Sequence, residues 1–364
     1  PETVKKLTSL GCKVFIESGA GIASGFSDDS YKKFSGEIIP VGDKKTWGEV
    51  DVVLCVQSPT AEKLSNLKSG AWIAGLLSPY GNSGLLHSLK THSLSALALE
   101  LLPRISRAQS SDALSSQANI AGYKSVLLAA SALDRYFPML MTAAGTVQPA
   151  KVVILGAGVA GLQAVATAKR LGAVVHVSDI RPAVKEQVES LGARFISPPE
   201  MNNDKSEESE ESGGYARQAS SEFLAAQRKQ LSDQLADADV AICTAQVPGK
   251  KAPKLISQEM LDRMRPGSVV IDLAVNQGGN CAETEIGKTV VRKGVKLIGA
   301  SNLPCTVPNH ASSLYARNLM SLFEPWIKDN KLILDIEDEL IKGCLISQDG
   351  HITQNEIFNS GGKN

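Results

Sequence analysis

Short apolar runs alternate with stretches that carry apolar residues at helical spacing along most of the chain. Most runs are almost wholly apolar instead of alternating with polar residues, which is typical of strands covered by helices on both faces. The runs that predict strands are 13–17, 52–56, 71–77, 94–99, 151–155, 173–179, 194–197, 239–243, 268–273 and 295–299. This alternation predicts an α/β fold with mainly parallel sheets and crossover helices.

The helical patterns divide the chain into two predicted lobes. Residues 161–171 and 183–191 predict crossover helices, and 112–137 predicts one long helix that bridges the lobes. A second long helix is predicted at 310–327, where the chain would return to the first lobe. The expected division is 1–115 plus 308–364 for the first lobe and 116–307 for the second.

Composition excludes several classes of function. Lys+Arg and Asp+Glu both number 38, so the net charge is zero and the basic surface of a nucleic-acid-binding protein is not expected. The 6 cysteines are scattered without a CxxC pair, which favours free thiols and argues against a structural metal. No apolar run is long enough to span a bilayer.

A glycine-rich turn follows the predicted strand 151–155. Gly156 permits a tight turn, Gly158 leaves room for a pyrophosphate, and Gly161 allows the helix to pack closely on the strand. The motif lies between a strand and an amphipathic helix, which is the context that dinucleotide binding requires. The alternative is a glycine-rich turn that binds no dinucleotide. The motif predicts that the second lobe is Rossmann-like and that the cofactor lies in a cleft between two such lobes.

Asp179, at the end of the next predicted strand, indicates which dinucleotide is bound. A carboxylate at this position accepts hydrogen bonds from the adenosine ribose and repels a 2′-phosphate. Arg181 offers a cation that could receive that phosphate instead. The carboxylate favours NAD(H) over NADP(H).

A polar loop at 103–119 precedes and enters the long helix. It contains two arginines, several amides and hydroxyls, and an aspartate. Asp112 could simply cap the helix, but a cap does not explain Arg104 and Gln109. We therefore predict that this loop contacts the nicotinamide.

Three further loops follow predicted strands, at 244–249, 272–280 and 300–304. Loops at the carboxyl ends of parallel strands line the ligand crevice, although Gly278 and Gly279 also suit an ordinary turn. The acidic run 204–211 precedes Tyr215 and predicts a mobile flap or a surface insertion. The histidines lie in none of these loops, so no acid–base residue is expected beside the nicotinamide.

With these motifs the chain resembles the NAD(H)-binding domain I of proton-translocating nicotinamide nucleotide transhydrogenase. The segments that carry the resemblance are PRISRAQSSDALSSQANIAGYK (103–124), MTAAGTVQPAKVVILGAGVAGLQAVATAKRLGA (141–173), KEQVESLGARF (185–195), GGYA (213–216), TAQVPGKKAP (244–253) and GSVVIDLAVNQGGNC (267–281).

The resemblance implies that domain I presents NADH to NADP⁺ on a separate domain III, with AB stereospecificity, while a membrane domain II couples hydride transfer to proton movement. It implies a homodimer docked at a membrane, on the cytoplasmic side in bacteria or the matrix side in an organelle. The nicotinamide-orienting residues implied are Arg104, Gln109, Asp112 and Ser115, with Gln109 nearest the partner's NADP(H). The other cofactor residues implied are Gly156, Gly158, Val159, Ala160, Gly161, Asp179, Ile180, Arg181, Gly214, Tyr215, Gln227, Gln246 and Asn302.

The chain departs from the family pattern at three places. It begins at Pro1, where members normally have a further strand with a basic loop. The first strand of the first lobe is therefore expected to be missing. Cys55 stands where the wider family usually has lysine, and the histidine of alanine dehydrogenases is missing near Gly75. These losses disfavour an alanine dehydrogenase activity. That activity and a non-catalytic NAD(H)-binding module are the alternatives to transhydrogenation.

Overall fold

The computed structural model describes residues 1–197 and 221–359, except for the side chains of 221–224 and 358–359. The α-helices are α1 (Glu2–Ser9), α2 (Asp28–Lys32), α3 (Lys44–Glu49), α4 (Ala61–Ser65), α5 (Ser83–Thr91), α6 (Ala113–Ala132), α7 (Val159–Arg170), α8 (Lys185–Ser190), α9 (Ser221–Ala236), α10 (Gln258–Arg263), α11 (Pro308–Phe323), α12 (Glu339–Cys344) and α13 (Asn355–Asn359). None of these described helices is long and apolar enough to cross a membrane.

The strands in the same described residues are β1 (Phe15–Glu17), β2 (Glu37–Ile39), β3 (Val52–Gln57), β4 (Trp72–Leu76), β5 (Ser95–Ala98), β6 (Leu140–Thr142), β7 (Gly145–Val147), β8 (Lys151–Leu155), β9 (Val174–Ser178), β10 (Arg194–Phe195), β11 (Val240–Cys243), β12 (Val269–Asp272), β13 (Thr289–Arg292), β14 (Val295–Gly299), β15 (Ile327–Lys328), β16 (Lys331–Leu332), β17 (Leu345–Gln348) and β18 (His351–Ile352). Short 3-10 helices lie at Ile22–Ser24, Leu99–Leu101, Ser106–Ser111, Pro182–Val184, Val275–Gln277, Leu303–Thr306 and Glu324–Trp326.

The chain folds into two compact units. The first comprises Pro1–Gln117 and Val307–Asn364, and the second comprises Ala118–Thr306. Each has its own sheet and its own buried apolar core. The α/β fold with mostly parallel sheets is confirmed.

The second unit is built on a seven-stranded sheet in the order β10-β9-β8-β11-β12-β14-β13. All neighbours are parallel except β13, which pairs with β14 antiparallel. Apolar cores lie on both faces, which explains why β8 and β11 contain almost no polar residues. The strand order reverses between β8 and β11, and ligands bind at such a switch point in open α/β sheets.

The first unit has a five-stranded sheet in the order β18-β17-β5-β4-β3, and β1 pairs with β2 separately. The pairs among β3, β4 and β5 are parallel, whereas β17 runs antiparallel to β5 and β18. One apolar core includes residues of α4 and α5, and the other includes residues of α11 and α12.

The long predicted helices are wrong at their ends. The helix predicted at 112–137 stops at Ala132, where the Nζ of Lys296 donates to the carbonyl oxygen of Ala132 (2.7 Å) and to Asp134 (2.8 Å). The helix predicted at 310–327 starts earlier, at Pro308, and ends at Phe323. Sequence reasoning also missed the hairpin of β6 and β7, whose strands are short and largely exposed.

Candidate functional site

The turn between β8 and α7 is held in shape by its glycines. Gly156 has φ +103°, a left-handed conformation that favours glycine, and its N–H donates to the carbonyl oxygen of Ser178 (2.8 Å). A Cβ atom at Gly161 would overlap the carbonyl oxygen of Gly156. Gly156 is therefore required by its backbone conformation, and Gly161 by its close contact with the backbone of the turn.

Gly158 has a different surrounding. It precedes the first residue of α7, with φ −78°, and no side chain caps the helix. No described atom lies within 4 Å of a Cβ built at this position. The first N–H groups of a helix have no acceptor within the helix and attract anions. The open space at Gly158 and the start of α7 together fit a pyrophosphate.

Asp179 lies directly beside this turn and is 8% exposed. Its Oδ2 accepts a hydrogen bond from the N–H of Ala157 (2.7 Å), and its Oδ1 accepts one from the N–H of Arg181 (2.9 Å). The Arg181 guanidinium donates to both oxygens, Nε to Oδ1 (2.9 Å) and Nη2 to Oδ2 (3.0 Å). Burial acts to raise the pKa of Asp179, but these hydrogen bonds outweigh it and hold the pKa below 3.8. Asp179 is therefore an anion at neutral pH.

Two polar residues join the turn to the neighbouring loops. Thr244, after β11, donates its hydroxyl to the carbonyl oxygens of Leu155 (3.1 Å) and Gly156 (3.0 Å). Asn280 is fully buried and bonds both backbone groups of Ala245, accepting from its N–H (3.1 Å) and donating to its carbonyl oxygen (2.8 Å). Sequence reasoning placed both residues in ligand-lining loops but gave neither this role, because their partners are far away in sequence.

The loops after β11, β12 and β14 are also connected to one another. The side-chain amide of Gln246 donates to the carbonyl oxygen of Leu273 (2.7 Å), and that of Asn276 donates to the carbonyl oxygen of Ser301 (2.8 Å). Asn302 is exposed in the last of these loops. Hydrogen bonds therefore connect the loops at the carboxyl ends of β8, β11, β12 and β14.

The remaining predicted cofactor residues of this unit have varied positions. Val159 is 42% exposed and Ile180 is 48% exposed, each an apolar side chain open to solvent. Ala160 is half-buried in the first turn of α7, and Gln227 is half-buried on α9. Gly214 and Tyr215, together with the acidic run 204–211, lie outside the described residues.

The polar loop of the first unit contains a 3-10 helix, Ser106–Ser111, followed by α6. Asp112 accepts hydrogen bonds from the N–H (2.8 Å) and the hydroxyl (2.6 Å) of Ser115, so it does cap α6. Arg104 and Gln109 are exposed. Arg107 is held in a bidentate ion pair with Asp338 at 2.8 and 2.9 Å.

Asn318 on α11 supports this loop and was missed by sequence reasoning. It is buried, donates to the carbonyl oxygen of Ser110 (2.8 Å) and accepts from the hydroxyl of Ser116 (2.8 Å). It therefore bonds the 3-10 helix and the first turn of α6 at once. A polar residue on a mostly apolar helix face was the only available signal.

A second group of titratable residues lies at the carboxyl ends of β3, β4 and β5. The Tyr315 hydroxyl donates to the carbonyl oxygen of Cys55 (2.6 Å), and Glu100 accepts from the N–H groups of Leu77 (3.1 Å) and Ser78 (2.6 Å). Burial, with a smaller effect of the Glu100 charge, raises the pKa of the Cys55 thiol to about 12. Burial also raises the pKa of Glu100. None of these three side chains is a cation.

Across the described residues, no three His, Cys, Asp or Glu side chains lie close enough together to bind a metal ion.

Comparison with known proteins identifies the family. Residues 1–121 match the family model described as alanine dehydrogenase/PNT, N-terminal domain, and residues 125–355 match the corresponding C-terminal domain. The protein from Rhodospirillum rubrum whose name describes it as the first part of NAD(P) transhydrogenase subunit alpha is 46% identical to the chain over 368 residues. The match covers 99% of this chain and 95% of that protein.

Two other proteins are similar to the chain, one at 44% identity and one at 26% identity. The crystal structure of transhydrogenase from Sinorhizobium meliloti superposes with a TM-score of 0.86 at 44% identity, covering 97% of this chain and 94% of that one. Alanine dehydrogenase of Bacillus subtilis is 26% identical, covering 98% of this chain and 89% of that protein. The resemblance drawn from the motifs is confirmed. The chain belongs to the alanine dehydrogenase/PNT family, and within it to the transhydrogenase alpha subunits.

Proposed function

We propose that this chain is the NAD(H)-binding component of a proton-translocating transhydrogenase and that it presents NADH for hydride transfer to NADP⁺ on a partner domain III. The observation that carries the proposal is the buried, ionised Asp179 beside the open glycine turn. NAD(H) binding is also implied by the family to which the chain belongs. Bound NADH supplies the hydride, and the chain's own residues bind and orient it.

Each part of the second unit has a role in this binding. The start of α7 at Val159 and Ala160 offers N–H groups to the pyrophosphate, which Gly158 leaves room to approach. Asp179 accepts hydrogen bonds from the adenosine ribose, and Ile180 offers an apolar surface beside the adenosine. We include Gln246, Gly214 and Tyr215 among the cofactor residues because they lie in segments that carry the family resemblance, and we propose Gln227 and Asn302 as further cofactor residues.

The polar loop is proposed to orient the nicotinamide. Arg104 and Gln109 are exposed, while Asp112 and Ser115 are bonded to each other at the start of α6. The bonded start of α6 gives the loop a fixed support, and the exposed amide of Gln109 and guanidinium of Arg104 suit the positioning of a nicotinamide ring that transfers a hydride directly. Such catalysis depends on orientation more than on proton transfer.

The group around Cys55 argues against the dehydrogenase alternative. An enzyme that binds an amino or oxo acid needs a cation for the substrate carboxylate and a proton donor near the reacting carbon. Cys55, Glu100 and Tyr315 supply no cation, and the Tyr315 hydroxyl is already hydrogen-bonded to backbone at the end of β3. The similarity to alanine dehydrogenase therefore supports a shared fold more than a shared reaction.

The partners follow from the same proposal. We infer that the chain docks on a membrane domain II, on the cytoplasmic side in bacteria or the matrix side in an organelle, and works with a domain III that holds NADP(H). The name of the Rhodospirillum rubrum relative describes only a portion of an alpha subunit, which indicates that further polypeptides complete that enzyme. We also propose a homodimer, for which the hairpin of β6 and β7 offers exposed apolar side chains on both of its faces, Met141 (76% exposed) on one and Val147 (40% exposed) on the other.

The test mixes this chain with a recombinant transhydrogenase domain III loaded with NADP⁺ and follows hydride transfer from NADH by absorbance. We expect transfer only when domain III is present, and a large loss of rate in Gln109→Asn with little change in the Kd of NADH. Gln187→Asn, an exposed glutamine on α8, is the matched control and should behave as wild type.

Parallel reactions omit domain III and supply pyruvate with ammonia. Oxidation of NADH under those conditions would establish the dehydrogenase alternative. NADH binding without either reaction would leave a non-catalytic binding module.

A further inference from the structure

Every acceptor position of the Asp179 carboxylate is already filled. An ionised carboxylate has about four lone-pair sites, two on each oxygen. Oδ1 accepts from the backbone N–H and the Nε of Arg181, both at 2.9 Å. Oδ2 accepts from the N–H of Ala157 at 2.7 Å and the Nη2 of Arg181 at 3.0 Å. In this arrangement Asp179 has no capacity for a ribose hydroxyl.

The four donors fall into two kinds. The N–H groups of Ala157 and Arg181 are part of the backbone, belong to the turn and strand end that form the site, and contribute one hydrogen bond to each oxygen. The other two donors come from the Arg181 guanidinium, again one to each oxygen. If the side chain leaves, each oxygen regains one acceptor position.

Those two positions match what NAD(H) offers, since its adenosine ribose carries two neighbouring hydroxyls. We propose that the Arg181 guanidinium and the ribose diol compete for the same positions on the Asp179 carboxylate, and that the two hydroxyls displace the guanidinium when NAD(H) binds. This inference rests on the proposed NAD(H) site. It makes Arg181 a specificity-determining competitor of the ribose, not a contributor to its binding.

The exposure of the pair permits such an exchange. The Asp179 side chain is 6% exposed and that of Arg181 is 33% exposed, so the arginine lies on the solvent side of the pair and the carboxylate on the buried side. Removing a partner from a buried carboxylate is costly unless another donor takes its place. A ligand with two hydroxyls replaces both lost hydrogen bonds.

The same exchange disfavours a 2′-phosphorylated ribose. Such a ribose keeps only one of the two hydroxyls and brings a dianion toward an ionised carboxylate. It would replace one of the two guanidinium hydrogen bonds, and the other oxygen would keep only its backbone N–H donor. The Arg181 contact therefore selects for a free diol in addition to the repulsion by Asp179 itself.

The test measures the Kd of NADH by isothermal titration calorimetry for the wild type, Arg181→Gln, Asp179→Asn and the double variant. We expect Arg181→Gln to bind NADH about three- to tenfold more tightly than the wild type, because the competing charge-assisted hydrogen bonds are gone. In the Asp179→Asn background, adding Arg181→Gln should give no such gain. Arg181→Lys, which retains the charge but not the fork, should fall between the wild type and Arg181→Gln.

Arg194→Gln is the matched control, since it removes the same charge from the neighbouring strand β10. Its Kd should equal that of the wild type or be weaker. An Arg181→Gln Kd within twofold of the wild type, or weaker, would overturn the proposal, as would a gain that persists without the Asp179 carboxylate. Failure of the wild type itself to bind NADH would instead overturn the proposed function, and this inference with it. Thermal unfolding of each variant checks that it is folded.

Discussion

The turn residues Gly156, Gly158 and Gly161 show how one amino-acid type serves different physical needs. Gly156 adopts a left-handed φ, and Gly161 has the Gly156 carbonyl oxygen against it, so both are required by the protein itself. Gly158 meets neither condition in the described structure. We propose that its small size leaves room for a ligand that the backbone must approach.

Gly158→Val tests that explanation. The fold should tolerate the side chain, because no described atom lies within 4 Å of its Cβ position. The Kd of NADH should weaken by more than about tenfold, or about 1.4 kcal/mol, because the side chain fills the space proposed for the pyrophosphate. The measurement is calorimetric titration with a melting curve alongside.

Gly84→Val provides the control at an exposed position of α5 whose Cβ has comparable space. Its NADH affinity should be that of the wild type. Unchanged affinity in Gly158→Val would show that the open space is not the pyrophosphate position.

Among the elements, α11 supports the polar loop through one buried side chain. Asn318 bonds Ser110 and Ser116, which belong to successive pieces of chain around Asp112. In the second unit Asn280 plays a similar part for the loop at Ala245. Both asparagines hold loops that the proposed function requires in one arrangement.

Asn318→Leu, which keeps the side-chain volume, should remove both hydrogen bonds and leave the Ser110 carbonyl oxygen and the Ser116 hydroxyl without this partner. The free energy of unfolding should fall by about 1–3 kcal/mol. Because the loop then loses its support, the rate of hydride transfer with domain III should fall more than the affinity for NADH. Denaturant unfolding and the coupled assay measure the two effects.

Asn309→Leu is the control on the same helix, where an exposed asparagine donates to the carbonyl oxygen of Ser24 (2.9 Å). It should leave transfer near the wild-type rate. Equal losses of rate in both variants would mean that Asn318 has no specific effect on the loop.

For the whole molecule, the exposed hairpin is the feature that a single chain does not explain. Met141 is 76% exposed and Val147 is 40% exposed, on strands that bury little of their surface. Clustered exposed apolar side chains mark interaction surfaces more often than scattered ones do. A second copy of the chain is the occupant that the family resemblance implies.

If the proposed homodimer forms through this hairpin, the double variant Met141→Lys with Val147→Lys should be monomeric, because charges would be buried in the interface without partners. Sedimentation velocity at several protein concentrations measures the change. Ile286→Lys, at another exposed apolar residue of the same unit (60% exposed), should remain dimeric. A wild type that is monomeric throughout, or a double variant with unchanged mass, would contradict the prediction.

The local pattern of the sequence was sufficient for the family and for the strands that are short apolar runs. Strands β8 and β14 occupy the predicted residues, since each is a short apolar run between turn residues. The turn at 156–161 was recognisable because its glycines stand at a fixed spacing between an apolar strand and a helix, and that spacing can be read directly from the sequence.

Tertiary contacts decided the rest. The long helix ends at Ala132 where Lys296, 164 residues away, reaches its last carbonyl oxygen. Asn318 and Asn280 acquire their roles through partners that no spacing rule connects, and the strand β13 turns antiparallel at the sheet edge. The sequence placed Arg181 two residues beyond Asp179, but only the folded chain shows its guanidinium on both carboxylate oxygens. Side-chain pairing depends on rotamers and burial, which are set by the packing of the whole unit.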